Sequence, residues 1–218
     1  MELDPDNASI NGNYAIFLTG IRKDYDQAEV YYRKALELNP DDAAVNGNYA
    51  IFLTGIRKDH DQAEVYYRKA LELDPDDAAA NDSYAIFLTD IRKDHDQAEV
   101  YYRKALELDP DNANINGNYA GFLIGRMRIS EAKNFFDKAE SLVNLDTGGA
   151  LLLELAYYRL VLFPENEEVE RKNIDELLEN GHRSIGWDFS EIIARAKEEE
   201  GRNIELLQKI ADRISSTD

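Results

Sequence analysis

Carboxylate pairs are the side chains of this 218-residue chain that come nearest to a catalytic arrangement. General acid–base catalysis places its two groups in different environments, in a constellation that occurs once. The pairs here recur in copies, and no Gly-rich phosphate loop or nucleophile elbow accompanies them. The sequence therefore predicts no catalytic residue and no enzyme. The recurring pairs are Asp24 and Asp26, Asp59 and Asp61, and Asp94 and Asp96.

Metal and cofactor chemistry has equally weak support. The chain has 3 histidines and no cysteine, which leaves no thiolate ligand, disulfide or thiol nucleophile. His60 and His95 occupy the same recurring turn position, and His182 falls in another predicted loop. We interpret them as solvated loop residues, because no two share a helix face. The DPDD and DPDN clusters lack the glycine and distal glutamate of a calcium loop. We expect no metal and no cofactor.

Charge restricts the class of partner. The formal net charge is −19 and the sequence pI is about 4.5, whereas binding to nucleic acid or an anionic membrane needs an excess of Lys and Arg. The first residues, MELDPDNA, lack the basic start and apolar core of a secretion signal. The apolar run 151–163 is too short to span a bilayer. The sequence predicts a cytoplasmic protein with neutral or basic protein partners, no nucleic acid and no membrane.

A repeat supplies the elements that must position these side chains. The stretch NGNYAIFLTGIRKD at residues 11–24 returns at 46–59 and, with changes, at 81–94 and from Asn116, each time 35 residues further on. A fixed period of this size indicates one supersecondary unit that buries its apolar face only by stacking on its neighbours. The chain is therefore predicted to be a solenoid, a class of protein that mostly binds other molecules.

Each repeat contains two apolar sets with helical spacing. Tyr14, Phe17, Leu18 and Ile21 recur three and four residues apart, as on one face of a helix. A second set in the same repeat has the same period. The pattern predicts two antiparallel helices per unit. The second set consists of Ala28, Tyr31, Tyr32, Ala35, Leu36 and Leu38.

Cap and turn residues mark the ends of these helices. Asp24 or Asp26 is expected to accept hydrogen bonds from the amides that open the second helix. Gly20 and Gly55 stand where the first helices should end, and left-handed helix caps often require glycine there. A proline turn, first seen at Pro40, follows each second helix, and its flanking acids are expected to cap the next one.

The pattern Ala28-x-x-x-Tyr32-x-x-Ala35-Leu36-Glu37-Leu38-Asn39-Pro40 and its copies resemble the tetratricopeptide repeat family over about residues 3–145. The resemblance implies an all-α fold, a right-handed α-α superhelical solenoid of helix-turn-helix repeats. Two features depart from the family pattern. The first three inter-helix turns are one residue longer than usual. The turn of the fourth unit, GRMRISEA, lacks this extra residue. Asparagine replaces a frequent large aromatic at Asn11, Asn46, Asn81 and Asn116.

The chain is predicted to have two parts. Residues 1–146 hold four repeats, the first preceded by the tail of a truncated repeat, so the chain is expected to be a fragment of a longer array. Residues 147–218 hold a degenerate fifth helical pair and C-terminal capping helices. Residues 188–191 have the spacing of a capping box, and a last helix is expected from Asn203 to Ile214. Trp187 is interpreted as an anchor between cap and solenoid.

The resemblance also implies a binding groove. In this family the first helices of successive units line a concave surface, and the matching positions here carry Asn, Ser, Ile, Gly and Thr rather than a basic carboxylate clamp. Amides both donate and accept, so they suit the backbone of an extended peptide, although they could instead tie adjacent helices together. The predicted groove residues are Asn13, Ile16, Thr19, Asn48, Ile51, Thr54, Asp82, Ser83, Ile86, Thr89, Asp90, Asn118, Gly121 and Ile124.

The predicted function is a non-catalytic interaction module, a scaffold or adaptor that binds an extended peptide or protein segment in this groove. Asp82 and Asp90 add negative charge to the third unit, which favours a neutral or basic partner. Two alternatives stay open. The array could be an architectural spacer that associates with itself, including as a homodimer, because near-identical units exchange register easily. It could also belong to a larger protein whose activity lies upstream.

Overall fold

The structure, a computed structural model, describes residues 6–143, 148–184, 189–198 and 201–216. Within these ranges its regular structure is helical throughout. A single 3₁₀ turn at Pro164–Asn166 precedes α10. The α-helices are α1 Ala8–Phe17, α2 Tyr25–Leu38, α3 Ala43–Phe52, α4 His60–Leu73, α5 Ala78–Phe87, α6 His95–Leu108, α7 Ala113–Gly125, α8 Ile129–Leu142, α9 Gly149–Leu162, α10 Glu167–Glu179, α11 Ser190–Ala196 and α12 Ile204–Ser215.

Contacts divide the chain into two compact units, Met1–Pro110 and Asp111–Asp218. The sequence-based boundary at 146/147 lies in a stretch outside the described residues, so the division into repeats and cap stays a prediction. The predictions for Trp187, for the capping box that starts at Asp188 and for the truncated repeat before Asp6 likewise concern residues that lie, wholly or in part, outside the described ranges.

The first unit consists of three helix pairs, as the two apolar sets predict. α1 packs against α2, α3 against α4 and α5 against α6, and successive pairs meet through α2 with α3 and α4 with α5. Ala28 and Ala35 are fully buried in α2, and Tyr32 lies between them at 3% exposure. The small side chains let neighbouring helices approach closely, and the ring fills the space between repeats.

Local side chains fix the helix ends. Asp24, rather than Asp26, caps α2, with its carboxylate accepting a hydrogen bond from the Gln27 amide at 3.3 Å. The acid after the proline turn caps the next helix, since Asp42 accepts from the Val45 amide at 3.0 Å. Each cap satisfies a backbone amide that the helix itself leaves unpaired. The expected capping by acids is confirmed.

The predicted glycine caps are wrong. In each of the first three repeats, the first helix ends in a π-helical turn. These turns are Leu18–Arg22, Leu53–Arg57 and Leu88–Arg92. Gly20 and Gly55 lie inside these turns and are not left-handed. The left-handed residue is the lysine that follows each turn: Lys23 with φ 55°, Lys58 with φ 57° and Lys93 with φ 56°.

The π turn accommodates the extra residue that distinguishes these repeats from the family pattern, because a π turn uses five residues where an α turn uses four. The fourth unit lacks that residue, and α7 has no π turn. Its chain instead reverses through Met127, with φ 62°. Asp90 in the third repeat stands where the first two have glycine, and it fits because the position does not need a left-handed backbone.

The unusual asparagines join each first helix to the turn before it. The side-chain amide of Asn46 donates to the carbonyls of Pro40 and Asp42 at 3.0 and 2.8 Å. Asn81 repeats both bonds with Pro75 and Asp77 at 3.1 and 2.8 Å. These asparagines are buried, so a hydrogen-bonded amide takes the place that an aromatic side chain often takes in the family.

The second unit holds the fourth helix pair and the C-terminal helices. α7 packs against α8 and α9 against α10, while α11 and α12 pack against α9. The Tyr157 hydroxyl of α9 donates to the Leu207 carbonyl of α12 at 3.0 Å. Gly181, left-handed at φ 83°, follows the end of α10, as the sequence predicts. None of the helices in the described part of the chain is both long and apolar enough to cross a membrane.

Candidate functional site

A cleft of ≈ 230 Å³ opens between α1 and α3 in the first unit. Three of the predicted groove residues, Asn13, Ile16 and Asn48, line it together. The structure therefore brings together side chains that stand 35 residues apart in the repeat. The complete lining is Ser9, Gly12, Asn13, Ile16, Tyr32, Asp42, Ala44, Val45 and Asn48.

Helix geometry places these residues on one surface. Ser9, Gly12, Asn13 and Ile16 lie three and four residues apart in α1, so they share one face of that helix. Gly12 lets α3 come close, since a Cβ atom added there would lie 2.8 Å from Cγ2 of Val45. Gly12 thus permits close packing of α1 against α3.

The cleft has unused hydrogen-bonding groups. Within the part of the chain that the structure describes, the side-chain amides of Asn13 and Asn48 make no hydrogen bond. They do not tie helices together here. The buried asparagines represented by Asn46 bond to the turn before their own helix. Each free amide can donate two hydrogen bonds and accept two.

The cleft lining includes one carboxylate and one buried phenol. The Asp42 carboxylate supplies negative charge. Burial raises the pKa of the Tyr32 hydroxyl, and its hydrogen bond with the Thr19 hydroxyl partly offsets this effect. Tyr32 is thus neutral at ordinary pH. Thr19 also donates its hydroxyl to the Ala15 carbonyl of its own helix at 2.8 Å.

The other predicted groove residues have mixed exposure. Ile51 and Asp90 are exposed, while Thr54, Ser83, Ile86 and Thr89 are half-buried. The hydroxyls of Thr54 and Thr89 each donate to a carbonyl of their own helix at 2.9 Å.

Two predicted groove residues are not at an open surface. Asp82 is buried at 8% exposure. Ile124 in the second unit is also buried. Their near neighbours Asn118 and Gly121 are half-buried. Packing of adjacent side chains covers Asp82 and Ile124, so both present little surface to a ligand.

The predicted groove set lacks six of the nine lining residues: Ser9, Gly12, Tyr32, Asp42, Ala44 and Val45. Asp42 was interpreted only as a helix cap, which it is, but its position just before α3 also places it in the cleft wall. Ser9 and Ala44 occupy corresponding positions of the first and second repeats, four residues before Asn13 and Asn48. That i, i+4 relation was visible in the sequence and places each on the same helix face as its asparagine.

The histidines lie elsewhere. His60 and His95 are the first residues of α4 and α6 and are half-buried, so the expectation of solvated loop positions is wrong for both. The ring of His182 packs against Gly149, where a Cβ atom would overlap it. Among the described residues, no group of three or more His, Asp or Glu side chains could hold a metal ion.

Comparison with known protein families identifies the repeats. Two sequence models of the tetratricopeptide repeat match the chain, one at residues 91–144 and the other at residues 22–42 and 57–77. These segments include the second helices and proline turns that carry the Ala-Tyr-Ala-Pro pattern. No curated protein sequence matches the chain significantly.

Solved structures show the same fold at low sequence identity. PilF of Pseudomonas aeruginosa has a TM-score of 0.65 and 23% identity, with 94% of this chain and 86% of that chain covered. PilW, described as a widely conserved type IV pilus biogenesis factor, has a TM-score of 0.64 and 24% identity, with 81% and 79% covered.

A third similar structure is YrrB, described as a TPR protein with an unusual peptide-binding site. Its TM-score is 0.55 at 17% identity, with 89% of this chain and 94% of that chain covered. The expected fold class, an all-α solenoid of helix-turn-helix repeats, is thereby confirmed. The repeats are tetratricopeptide repeats, and this chain belongs to the tetratricopeptide repeat proteins.

Proposed function

We propose that the chain is a non-catalytic interaction module that binds an extended, neutral or basic peptide segment in the cleft between α1 and α3. The observation that carries the proposal is the pair of unbonded amides, Asn13 and Asn48, in one cleft. An extended peptide offers alternating backbone donors and acceptors, and an amide side chain can pair with either. A cytoplasmic location stays a prediction.

The remaining lining of the cleft supports the same partner. The exposed Ile16 side chain supplies an apolar contact for a peptide side chain. Asp42 places a carboxylate beside it, and the whole chain carries a net charge of −19. A basic segment would be attracted over long range and an acidic one repelled. We therefore expect affinity for basic peptides to fall as salt is added.

The family comparisons are consistent with this class of function. YrrB, which shares the fold, is described as having a peptide-binding site, and PilW is described as a pilus biogenesis factor. At identities of 17% and 24% these proteins share the fold with this chain, and neither defines its partner.

Self-association is the second candidate function, and a specific surface favours it. Phe17 is 43% exposed on the first helix pair, where an unpaired apolar surface could meet another molecule. A concentration series followed by light scattering separates the two functions. An interaction module stays monomeric while its cleft is empty, whereas a spacer that assembles with itself grows in mass with concentration.

Peptide selection followed by affinity measurement tests the proposed cleft. Peptides from a random displayed library would be selected on the wild-type chain, and the best binder measured by calorimetry. The double variant Asn13→Ala/Asn48→Ala should weaken binding about tenfold or more, since two hydrogen bonds are lost. Asn134→Ala is the matched control, because Asn134 is exposed on α8 in the other unit. Equal affinity of all three proteins would reject the cleft as the site.

A further inference from the structure

The cleft between α1 and α3 is one step of a surface that repeats along the first unit. Asn13, Asn48 and Ser83 occupy the same position of α1, α3 and α5, and an isoleucine follows each of them three residues later. Residues three apart share one face of a helix, so these helices carry a polar row beside an apolar row. The apolar row consists of Ile16, Ile51 and Ile86, of which the first two are exposed and the third is half-buried.

The step between these helices is regular. α1 packs against α3, and α3 packs against α5. The two junctions that set these steps have nearly the same geometry. The Tyr32 and Phe52 rings lie 5.4 Å apart between centroids, and the Tyr67 and Phe87 rings lie 5.2 Å apart. Packed helices have axes about 8–10 Å apart, so each row presents the same kind of side chain about once in that distance.

A row of carboxylates lies on the other side of the amides. Asp42 and Asp77 cap α3 and α5, where each accepts a hydrogen bond from the amide three residues later, at 3.0 and 3.1 Å. Neither carboxylate has an ion pair within the described residues. Asp42 stands about 9 Å before Asn48 along the helix axis, and Ile51 stands about 4–5 Å beyond it. The amides thus lie between an acidic row and an apolar row.

The step between the helices favours one extended conformation over another. In a β-strand the side chains on one face recur about every 7 Å, so their mismatch with a step of about 8–10 Å grows at each helix. A polyproline II helix has three residues per turn and advances about 9 Å per turn, so every third side chain can meet each helix in the same way. Its carbonyls make no internal hydrogen bonds and can accept from asparagine amides.

We infer that the partner segment binds across α1, α3 and α5 in the polyproline II conformation, with a sequence period of three residues. Its conformation and period rest on the proposed function, because they describe the peptide of the same cleft. One residue of each turn is apolar and contacts the isoleucine row, while the carbonyls accept from Asn13 and Asn48. A second residue is Lys or Arg and reaches the row of Asp42 and Asp77. The third faces solvent and suits proline, which favours this conformation.

Two peptides of identical composition test the period on the full chain. The first, LKPLKPLKPLKP, has a leucine at every third position. The second, LKLPKPPKPLKL, keeps every lysine in place, but no two of its leucines stand three or six residues apart. Calorimetry should show that the first peptide binds about tenfold tighter or more, because only its leucines meet successive isoleucines in register.

A variant that gains an amide tests the same register without removing any contact. Ser83→Asn gives α5 the side chain that α1 and α3 already have, so it should tighten binding of LKPLKPLKPLKP about threefold or more. Ser130→Asn is the matched control, because Ser130 is exposed on α8 in the other unit, and it should leave the affinity unchanged. Circular dichroism checks that each variant keeps its helicity.

Equal affinity of the two peptides would overturn the period of three, as would a Ser83→Asn variant that binds the first peptide no tighter than wild type. If Asn13→Ala/Asn48→Ala still weakens both peptides, the cleft remains a peptide site and only the period is wrong. The same holds if neither peptide binds while a library-selected peptide binds in the cleft. If the double variant binds the first peptide as tightly as wild type, the period and the proposed function are both wrong.

Discussion

The Nε atom of Arg57 lies 2.6 Å from Oε2 of Glu29, across the junction between the first and second repeats. The same guanidinium lies over the Phe52 ring at 5.5 Å from its centroid. Glu29 also accepts a hydrogen bond from Arg33, on its own helix, at 2.7 Å. The junction thus combines a charge-assisted hydrogen bond with a cation–π contact, and both side chains are largely shielded from water.

Removing this arginine should loosen the first two repeats. Arg57→Ala leaves Glu29 with fewer donors at a partly buried position, so we expect the free energy of unfolding to fall by about 1–3 kcal/mol. Chemical denaturation monitored by circular dichroism measures the change. Arg22→Ala is the control, because Arg22 has no partner in the described residues, and its effect should stay within about 0.5 kcal/mol.

The cost of Arg57→Ala should depend on pH. Burial raises the pKa of Glu29, but hydrogen bonds and charges of Arg33 and Arg57 outweigh it and the net pKa is lowered. A lowered pKa in the folded state adds stability that is present above the unfolded pKa and lost as the pH falls through the folded pKa. The penalty should therefore shrink in acid, and a penalty that is constant from pH 7 to pH 3 would contradict the ion pair.

Substitutions at the end of α3 distinguish a cap at the left-handed Lys58 from the cap at Gly55 that the sequence predicts. Gly55 is not left-handed and has no atom within 4 Å of its added Cβ, so Gly55→Ala should raise the free energy of unfolding by about 0.5–1 kcal/mol. Lys58 is left-handed, so Lys58→Gly should also stabilise, by about 1 kcal/mol. Thermal unfolding reports both. A loss of stability in Gly55→Ala would indicate that Gly55, and not Lys58, is the left-handed cap.

Two glycines at the same repeat position should respond in opposite directions. A Cβ atom at Gly47 would meet only Ala70, at 3.8 Å, so Gly47→Ala should stabilise by about 0.5–1 kcal/mol. A Cβ atom at Gly12 would lie 2.8 Å from Val45, and Gly12→Ala should destabilise by about 1 kcal/mol or more. Denaturant titrations of both variants check this, and equal effects would show that α1 and α3 do not approach as described.

The second unit should lose stability as the pH rises through neutrality. Burial of Glu154 in α9 raises its pKa to about 7, and its hydrogen bond with the Ser184 hydroxyl offsets only part of this effect. A raised pKa of the folded state gives stability that is complete below the unfolded pKa and lost as the pH rises through the folded pKa. Between pH 4.5 and pH 8 the loss should be about 3 kcal/mol.

Glu154→Gln is the matched variant for this prediction, because it keeps the shape and removes the titration. Melting curves from pH 5 to pH 8 should show a smaller dependence on pH in the variant than in wild type. Identical profiles would mean that Glu154 is not the group responsible.

Features set by local sequence could be predicted well. The helix pairs follow from apolar spacing around Tyr14 and Ala28, and the helix starts follow from caps such as Asp24, because each depends on residues within one or two turns. Gly181 ends α10 for the same reason. The π turns could not be predicted in the same way. The extra residue was visible, but its geometry depends on where the following helix must pack, and Lys23 gives no sign of a left-handed backbone.

The candidate site was only partly visible in the sequence. The family resemblance named Asn13, Ile16 and Asn48 as groove residues, and these three line one cleft, while their role in binding stays a prediction. Asp82 and Ile124 are buried, because exposure depends on side chains from neighbouring helices that a repeat pattern does not specify. The difference in exposure between Phe17 and Phe52 has the same origin, because the same local sequence lies against different neighbouring side chains.

The central claim is that Asn13 and Asn48 bind a peptide backbone, and NMR of their side-chain amides tests it most directly. A selected basic peptide would be titrated into the full chain with these amide resonances assigned by Asn→Ala variants. We expect large, saturable shifts of both amides and none at Asn134 on α8. Tight binding of the peptide with both amides unshifted, and with the shifts confined to another surface, would contradict it.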